Sequence, residues 1–89
     1  MRIVSTLSLA TLLLAASGLG RQSPPDPKAI FEQAQRALDA RDYAAAEQGF
    51  RAVLKIDPQS AAAYSNLGVV YMRRNEYGRA VEAFTQGFR

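Results

Sequence analysis

The sequence predicts an all-α chain of tandem antiparallel helical hairpins, preceded by a short segment of different character. Three observations predict it. Apolar residues recur at helical rather than strand spacing from Ile30 to Phe88. Two short polar breaks, Arg41-Asp42 and Asn75-Glu76, cut this periodic stretch where only tight helix–helix connections fit. The chain also matches itself at an offset of 34 residues, where Ala29 meets Ala63, Tyr43 meets Tyr77, Ala46 meets Ala80 and Phe50 meets Phe84. These four identities fall on face-defining positions. Near-matches support them: Ala34 with Gly68, Leu38 with Met72, Asp42 with Glu76 and Gly49 with Ala83.

Residues 1–20, MRIVSTLSLATLLLAASGLG, come first. One charge at Arg2 precedes an uncharged Leu-rich run from Ile3 to Ala16, which small residues follow. This is the pattern of a secretory signal peptide, with cleavage expected after Gly18 or after Gly20. The run of about 14 residues is shorter than the roughly 20 that cross a bilayer as a helix. A cleaved signal and an exported protein, periplasmic or secreted, are therefore expected. An uncleaved anchor in the inner membrane is the alternative. No cysteine follows the apolar run, so a lipid-anchored lipoprotein is not expected. Residues 21–26 form a proline-rich linker, at whose end Asp26 suits a helix N-cap and Pro27 the first helical position.

The first hairpin follows, over residues 27–60. Ile30, Ala34, Ala37 and Leu38 share one face of its first helix. Tyr43, Ala46, Phe50, Val53 and Leu54 form the face of its second, which stops at Asp57-Pro58 because proline disfavours helical geometry in the residue before it. Ser60 is placed to cap the third helix, whose stripe is Tyr64, Leu67, Gly68 and Tyr71. Tyr77 opens a fourth, with Ala80, Val81, Phe84 and Phe88; residues 61–89 make the second hairpin. The small residues Ala34, Ala46, Gly68 and Ala80 are expected where paired helices touch. Gly78 falls in a first helical turn, where it is tolerated.

Composition limits the chemistry. The chain of 89 residues is 48% hydrophobic and 21% charged, with a formal charge of +3 and no Lys/Arg run, so a phosphate-binding stripe and a nucleic-acid partner are not expected. With no cysteine and no histidine, disulfides, thiolate chemistry, His-based acid–base catalysis and the usual zinc sets are excluded. Asp39 and Asp42 flank a turn and suit capping. Arg73-Arg74 sits at a helix end, where positive charge complements the dipole. No residues assemble into a catalytic, cofactor or metal site, so the chain is expected not to be an enzyme.

The motifs resemble those of the tetratricopeptide repeat (TPR) family. Tyr64, Leu67, Gly68 and Tyr71 match its first-helix pattern in order and spacing, and Tyr77, Ala80 and Phe84 match its second. In the first repeat Tyr43, Ala46, Phe50 and Asp57-Pro58 match, whereas Ile30, Gln33, Ala34 and Ala37 replace the usual aromatic, leucine, glycine and tyrosine. The resemblance implies a TPR-type α-solenoid that binds peptides or partner proteins in a concave groove. It implies groove-facing residues Phe31, Gln35, Leu38, Ala62, Ser65, Asn66, Val69 and Arg73, and repeat-packing residues Ala34, Tyr43, Ala46, Phe50, Tyr64, Leu67, Gly68, Tyr71, Tyr77, Ala80 and Phe84. One subgroup clamps acidic C-terminal peptides; Asn66 fits that pattern, but Phe31 and Gln35 stand where it has a basic residue and an asparagine.

Each hairpin alone cannot bury its faces, and about three repeats are generally needed for stability. Two are visible, the second short of a closing turn, so a piece of a longer array is expected. Self-association is the other way to cover Tyr64, Val81, Phe84 and Phe88. The leading expectation is an exported scaffold. The alternatives are a docking region of a larger enzyme and a self-associating module.

Overall fold

The computed structural model describes residues 23–89. The expected targeting segment and the first two linker residues lie outside the described residues. Four helices follow in order: α1 Pro27–Asp39, α2 Tyr43–Ile56, α3 Ala61–Arg73 and α4 Tyr77–Gly87. Among the described residues there is no strand, as the helical spacing predicts.

Local chemistry sets the ends. Asp26 Oδ1 accepts the Lys28 amide at 3.0 Å, with Pro27 opening α1. Asp42 Oδ1 accepts the Ala45 amide and Ser60 Oγ the Ala63 amide, each at 3.2 Å. Such caps satisfy amides that have no partner in the first turn and stabilise a helix by about 1 kcal/mol. The α2 helix ends at Ile56, and Asp57 then accepts the Gln59 amide at 3.2 Å across the Pro58 turn. Asp39, by contrast, is the exposed last residue of α1 and not a cap. The two hairpin turns are built alike: Arg41 and Asn75, one period apart, are the described non-glycine residues with left-handed backbone, at φ 64° and 62°.

Within each hairpin the helices run closely side by side; α3 then packs on α2, and α1 meets α3 along a short edge. The shared core contains Ala34, Leu38, Ala46, Phe50, Leu67, Val70, Tyr71, Ala80 and Ala83. Phe50 and Val70 are its largest fully enclosed side chains, and the Phe31 ring meets Phe50 edge-on at 5.4 Å. Enclosing a side chain of this size contributes about 1.5–3 kcal/mol.

Two sites fix the helix separation. A Cβ added to Gly49 would lie 2.6 Å from Ala34 Cβ and 3.3 Å from its Cα. A Cβ added to Gly68 would run into the Phe84 ring. The close approach expected at Gly68 is therefore present, and its partner is an aromatic ring. Gly49 carries the same duty in the first hairpin, with Ala34 as the opposing small residue. Gly78 has nothing within 4 Å of an added Cβ, in keeping with a tolerated first-turn position.

The repeat-packing expectation fails at one aromatic. Tyr77 is 61% exposed and its hydroxyl donates to Asn75 Oδ1 at 2.9 Å, whereas its counterpart Tyr43 packs against the core. The reason is geometric: the core that shelters Tyr43 lies between the two hairpins, and Tyr77 is on the far side of the second.

The obstacles at the two glycines differ in kind, so their substitutions separate. Gly49→Ala meets a Cβ and Cα held on a helix, and should destabilise by about 1–3 kcal/mol through overpacking. Gly68→Ala meets only a half-buried ring that can turn, and should cost less than Gly49→Ala. Gly68→Leu should again cost about 1–3 kcal/mol. Urea unfolding followed by far-ultraviolet circular dichroism checks the order, and equal costs for the two alanine variants would refute this account.

Candidate protein-interaction faces

Helical phase assigns the expected groove residues to a common side. On α3, Ala62, Ser65, Asn66, Val69 and Arg73 make a continuous stripe at spacings of three and four. Ala62 and Arg73 are exposed; Ser65, Asn66 and Val69 are half-buried. On α1, Phe31 and Gln35 hold the positions one period before Ser65 and Val69, Phe31 half-buried and Gln35 exposed. The Asn66 amide donates back to the Ala62 carbonyl at 2.9 Å, which fixes its side chain along the stripe. Leu38 departs from expectation. It is 6% exposed and belongs to the core joining the hairpins, so it is a packing residue and not a partner contact. Its counterpart Met72 is 48% exposed, because no described helix lies over it.

The opposite side carries a feature that the helical pattern does not announce. Because α2 and α4 do not touch, an open cleft of about 750 Å³ runs between them over α3. Leu54, Tyr64, Leu67 and Ala83 supply apolar wall, and Arg51, Arg79 and Arg89 stand among its lining residues with Glu82. Arg79 lies over the Tyr71 ring at 5.7 Å, a cation–π arrangement.

Beside this cleft a polar cluster ties the two hairpins together. The Tyr71 hydroxyl donates to Glu47 Oε2 at 2.9 Å, and Arg74 Nη1 donates to Glu47 Oε1 at 2.7 Å. Arg51 Nε donates to Glu47 Oε2 at 3.0 Å, while its Nη2 donates to the Tyr71 hydroxyl at 2.9 Å. Burial alone would raise the Glu47 pKa, but the Tyr71 and Arg74 hydrogen bonds and the Arg51 charge together hold it below its ordinary value. The hydrogen bond with Tyr71 is the main influence raising that of Arg51. Arg74 thus has a specific anionic partner on the other hairpin, a role that the helix-end position in the sequence did not reveal. Arg74 Nε also lies 2.9 Å from Glu76 Oε2, and Arg79 Nη1 lies 3.4 Å from Glu76 Oε1. Glu76 stands where Asp42 caps α2, yet makes no cap bond to α4, its carboxylate being committed to these arginines.

Among the described residues no cluster of acidic or histidine side chains could hold a metal ion. Paired helices stacked edge to edge, with one smooth stripe and one cleft, define a helical-repeat protein of the kind that presents surfaces to other proteins. Residues 31–87 match the family model of the tetratricopeptide repeat, and the chain belongs to that family. No curated protein matches the chain.

The Glu47 cluster predicts acid sensitivity. A carboxyl whose pKa is lowered by folding stabilises the folded state fully above its unfolded value, here near 4.5. That contribution is lost as the pH falls from there through the lowered folded value. Glu47→Gln should remove this component of the acid profile and destabilise the protein at pH 7 by about 1–2 kcal/mol. Urea midpoints measured from pH 7 to pH 2 test both; parallel profiles for the two proteins would overturn the assignment.

Proposed function

We propose that the protein is an exported scaffold that holds an extended or helical segment of another protein along the face shared by α1 and α3. The observation that carries this reading is the in-phase stripe of Phe31, Gln35, Ala62, Ser65, Asn66, Val69 and Arg73, exposed at Gln35, Ala62 and Arg73 and half-buried at the other four, over residues locked in the core. Val69 and Ala62 offer apolar contact; Gln35, Ser65 and Asn66 offer hydrogen bonds, and Arg73 a charge at one end. Such a surface favours a partner held by shape and a few polar contacts. Phe31 and Gln35 leave it without the basic residue and asparagine that a clamp for acidic peptide ends uses.

Export rests on residues 1–20: Arg2, the apolar run Ile3–Ala16, and the small residues to Gly20. A chain without cysteine suits an oxidising compartment, where it requires no disulfide to fold. The family's repeats favour a protein–protein role over catalysis, and the partner is a protein or peptide.

Peptides selected from a displayed random library on this chain should bind Val69→Asp at least tenfold more weakly than the natural sequence. Lys55→Glu, on the opposite layer, should bind them unchanged. Peptides insensitive to Val69→Asp but displaced by changes at Leu54 or Gln86 would move the site to the outer cleft. For export, expression of the full chain in a bacterial host should yield an envelope-fraction product whose amino terminus, read by mass spectrometry, begins after Gly18 or Gly20; an uncut cytoplasmic chain would refute this part.

A further inference from the structure

Among the described residues, every side-chain hydrogen bond between the hairpins ends on α2 at Glu47 or Arg51. Arg74 makes one of them, and it alone has a second carboxylate competing for it. Its Nη1 donates to Glu47 Oε1 at 2.7 Å across the hairpin boundary, while its Nε lies 2.9 Å from Glu76 Oε2 within its own hairpin. The two contacts are unequal. Glu76 Oε2 is enclosed yet accepts no hydrogen bond, despite the Arg74 nitrogen beside it. Arg79 reaches only the other oxygen, Oε1, at 3.4 Å. Leaving an enclosed acceptor unsatisfied is unfavourable, so the guanidinium is turned toward the first hairpin against the demand of its own.

What this orientation holds is one wall of the groove. Val69 and Arg73 of the stripe stand two residues before Tyr71 and one before Arg74. The last turns of α3 therefore bear the stripe on one side and the ties to α2 on another. The α1 and α3 helices meet only along a short edge, which does little to fix the level of one against the other. On α2, Phe50 stands one turn beyond Glu47 and meets the Phe31 ring of the α1 stripe edge-on at 5.4 Å. Packed side chains and rigid helices thus join Phe31 to Arg73 through the Glu47–Arg74 bond, and an element with two arrangements is what can couple such sites.

We infer that Arg74 is a positioning residue for this groove. Bonded to Glu47, it holds the second hairpin at the angle that sets the α3 stripe level with Phe31 and Gln35. Turned onto Glu76, it completes that carboxylate's hydrogen bonding and leaves apolar contact and the Tyr71 hydroxyl to join the hairpins. The effect on a bound partner rests on the groove reading proposed above; the choice between the two carboxylates does not.

The chain has no cysteine, so spin labels can be placed at Gln48→Cys on α2 and Gln86→Cys on α4, both exposed and outside the cluster. Double electron–electron resonance on the full chain should give one narrow distance distribution. Glu47→Gln leaves Glu76 as the stronger acceptor and should broaden it. Glu76→Gln removes the competitor and should leave it narrow, and adding Glu76→Gln to Glu47→Gln should restore narrowness. If Arg74 were merely structural, each loss of a partner would act in the same direction and the double variant would be worst. A library-selected peptide whose binding Val69→Asp abolishes should bind Glu47→Gln about fivefold more weakly, within the range by which such contacts modulate coupling. It should bind Glu76→Gln unchanged. A narrow distribution in Glu47→Gln, equal broadening in both single variants, or affinity indifferent to the broadening would each overturn the proposal. Should Glu47→Gln lose helicity, Arg74→Ala takes its place: it should broaden the distribution, and adding Glu76→Gln should change nothing further. The distances need no peptide, so they decide the role of Arg74 even if no selected peptide depends on Val69, a result that would refute the groove instead.

Discussion

Everything in this fold depends on α3 sitting on the first hairpin. A pair of antiparallel helices has one apolar face more than it can hide. In α2 that face carries Phe50 and Val53, both buried, and it becomes core only because α3 brings Leu67 and Val70 to the region between the hairpins. The seating also positions Tyr71 and Arg74 to reach Glu47. The apolar part supplies most of the free energy, because it removes large side chains from water. The polar part adds direction: a hydroxyl and a guanidinium reaching one carboxylate define how far α3 slides along α2. Both candidate interaction surfaces inherit their shape from this single contact. The stripe is flush because α1 and α3 lie edge to edge, and the cleft exists because α2 and α4 are held apart above α3.

The folded unit therefore has two unlike ends. At its start, α1 turns Gln33 and Arg36 outward, a surface that water solvates well. At its finish, α4 turns out Val81 and Phe88. Stacked repeats generally require a polar outer face at their termini. One end meets that requirement by its sequence; the other must meet it through contact with something else.

Much of this was legible in the residues themselves. The period of 34 placed both hairpins, and caps at Asp26, Asp42 and Ser60 with the Asp57-Pro58 stop placed four helix ends. These signals are local, each needing only neighbours in sequence. The Gly68 contact was legible as a need for closeness, but the partner was not, since the Phe84 ring comes from another helix. The Glu47 cluster was illegible for the same reason. Its contacts between hairpins join residues 20 to 27 apart and form only after two elements have docked. A faint trace existed: Glu47 and Val81 occupy the same place in the period, and a charge facing an apolar residue across a repeat signals unlike surroundings. Leu38 was misplaced because helical phase gives the direction of a side chain and not what later lies over it. Met72, one period on, has the same direction and a different fate.

The small residues at the helix crossings carry a consequence for how such a chain can change over generations. Ala34 faces Gly49 in the first hairpin; at the same places the second has Gly68 and Ala83, the pair reversed. In the second hairpin, however, the space over Gly68 is filled by the Phe84 ring, so the two crossings are packed differently. A genetic exchange with its breakpoint inside a hairpin would join α1 to α4, setting the Ala34 methyl group where the Phe84 ring now covers a glycine. The reciprocal product, joining α3 to α2, would set glycine opposite glycine and lose the contact that Ala34 makes at Gly49. Breakpoints between hairpins preserve the fit. The inheritable unit of this architecture is therefore the whole hairpin, because each glycine is fitted to the helix it already faces.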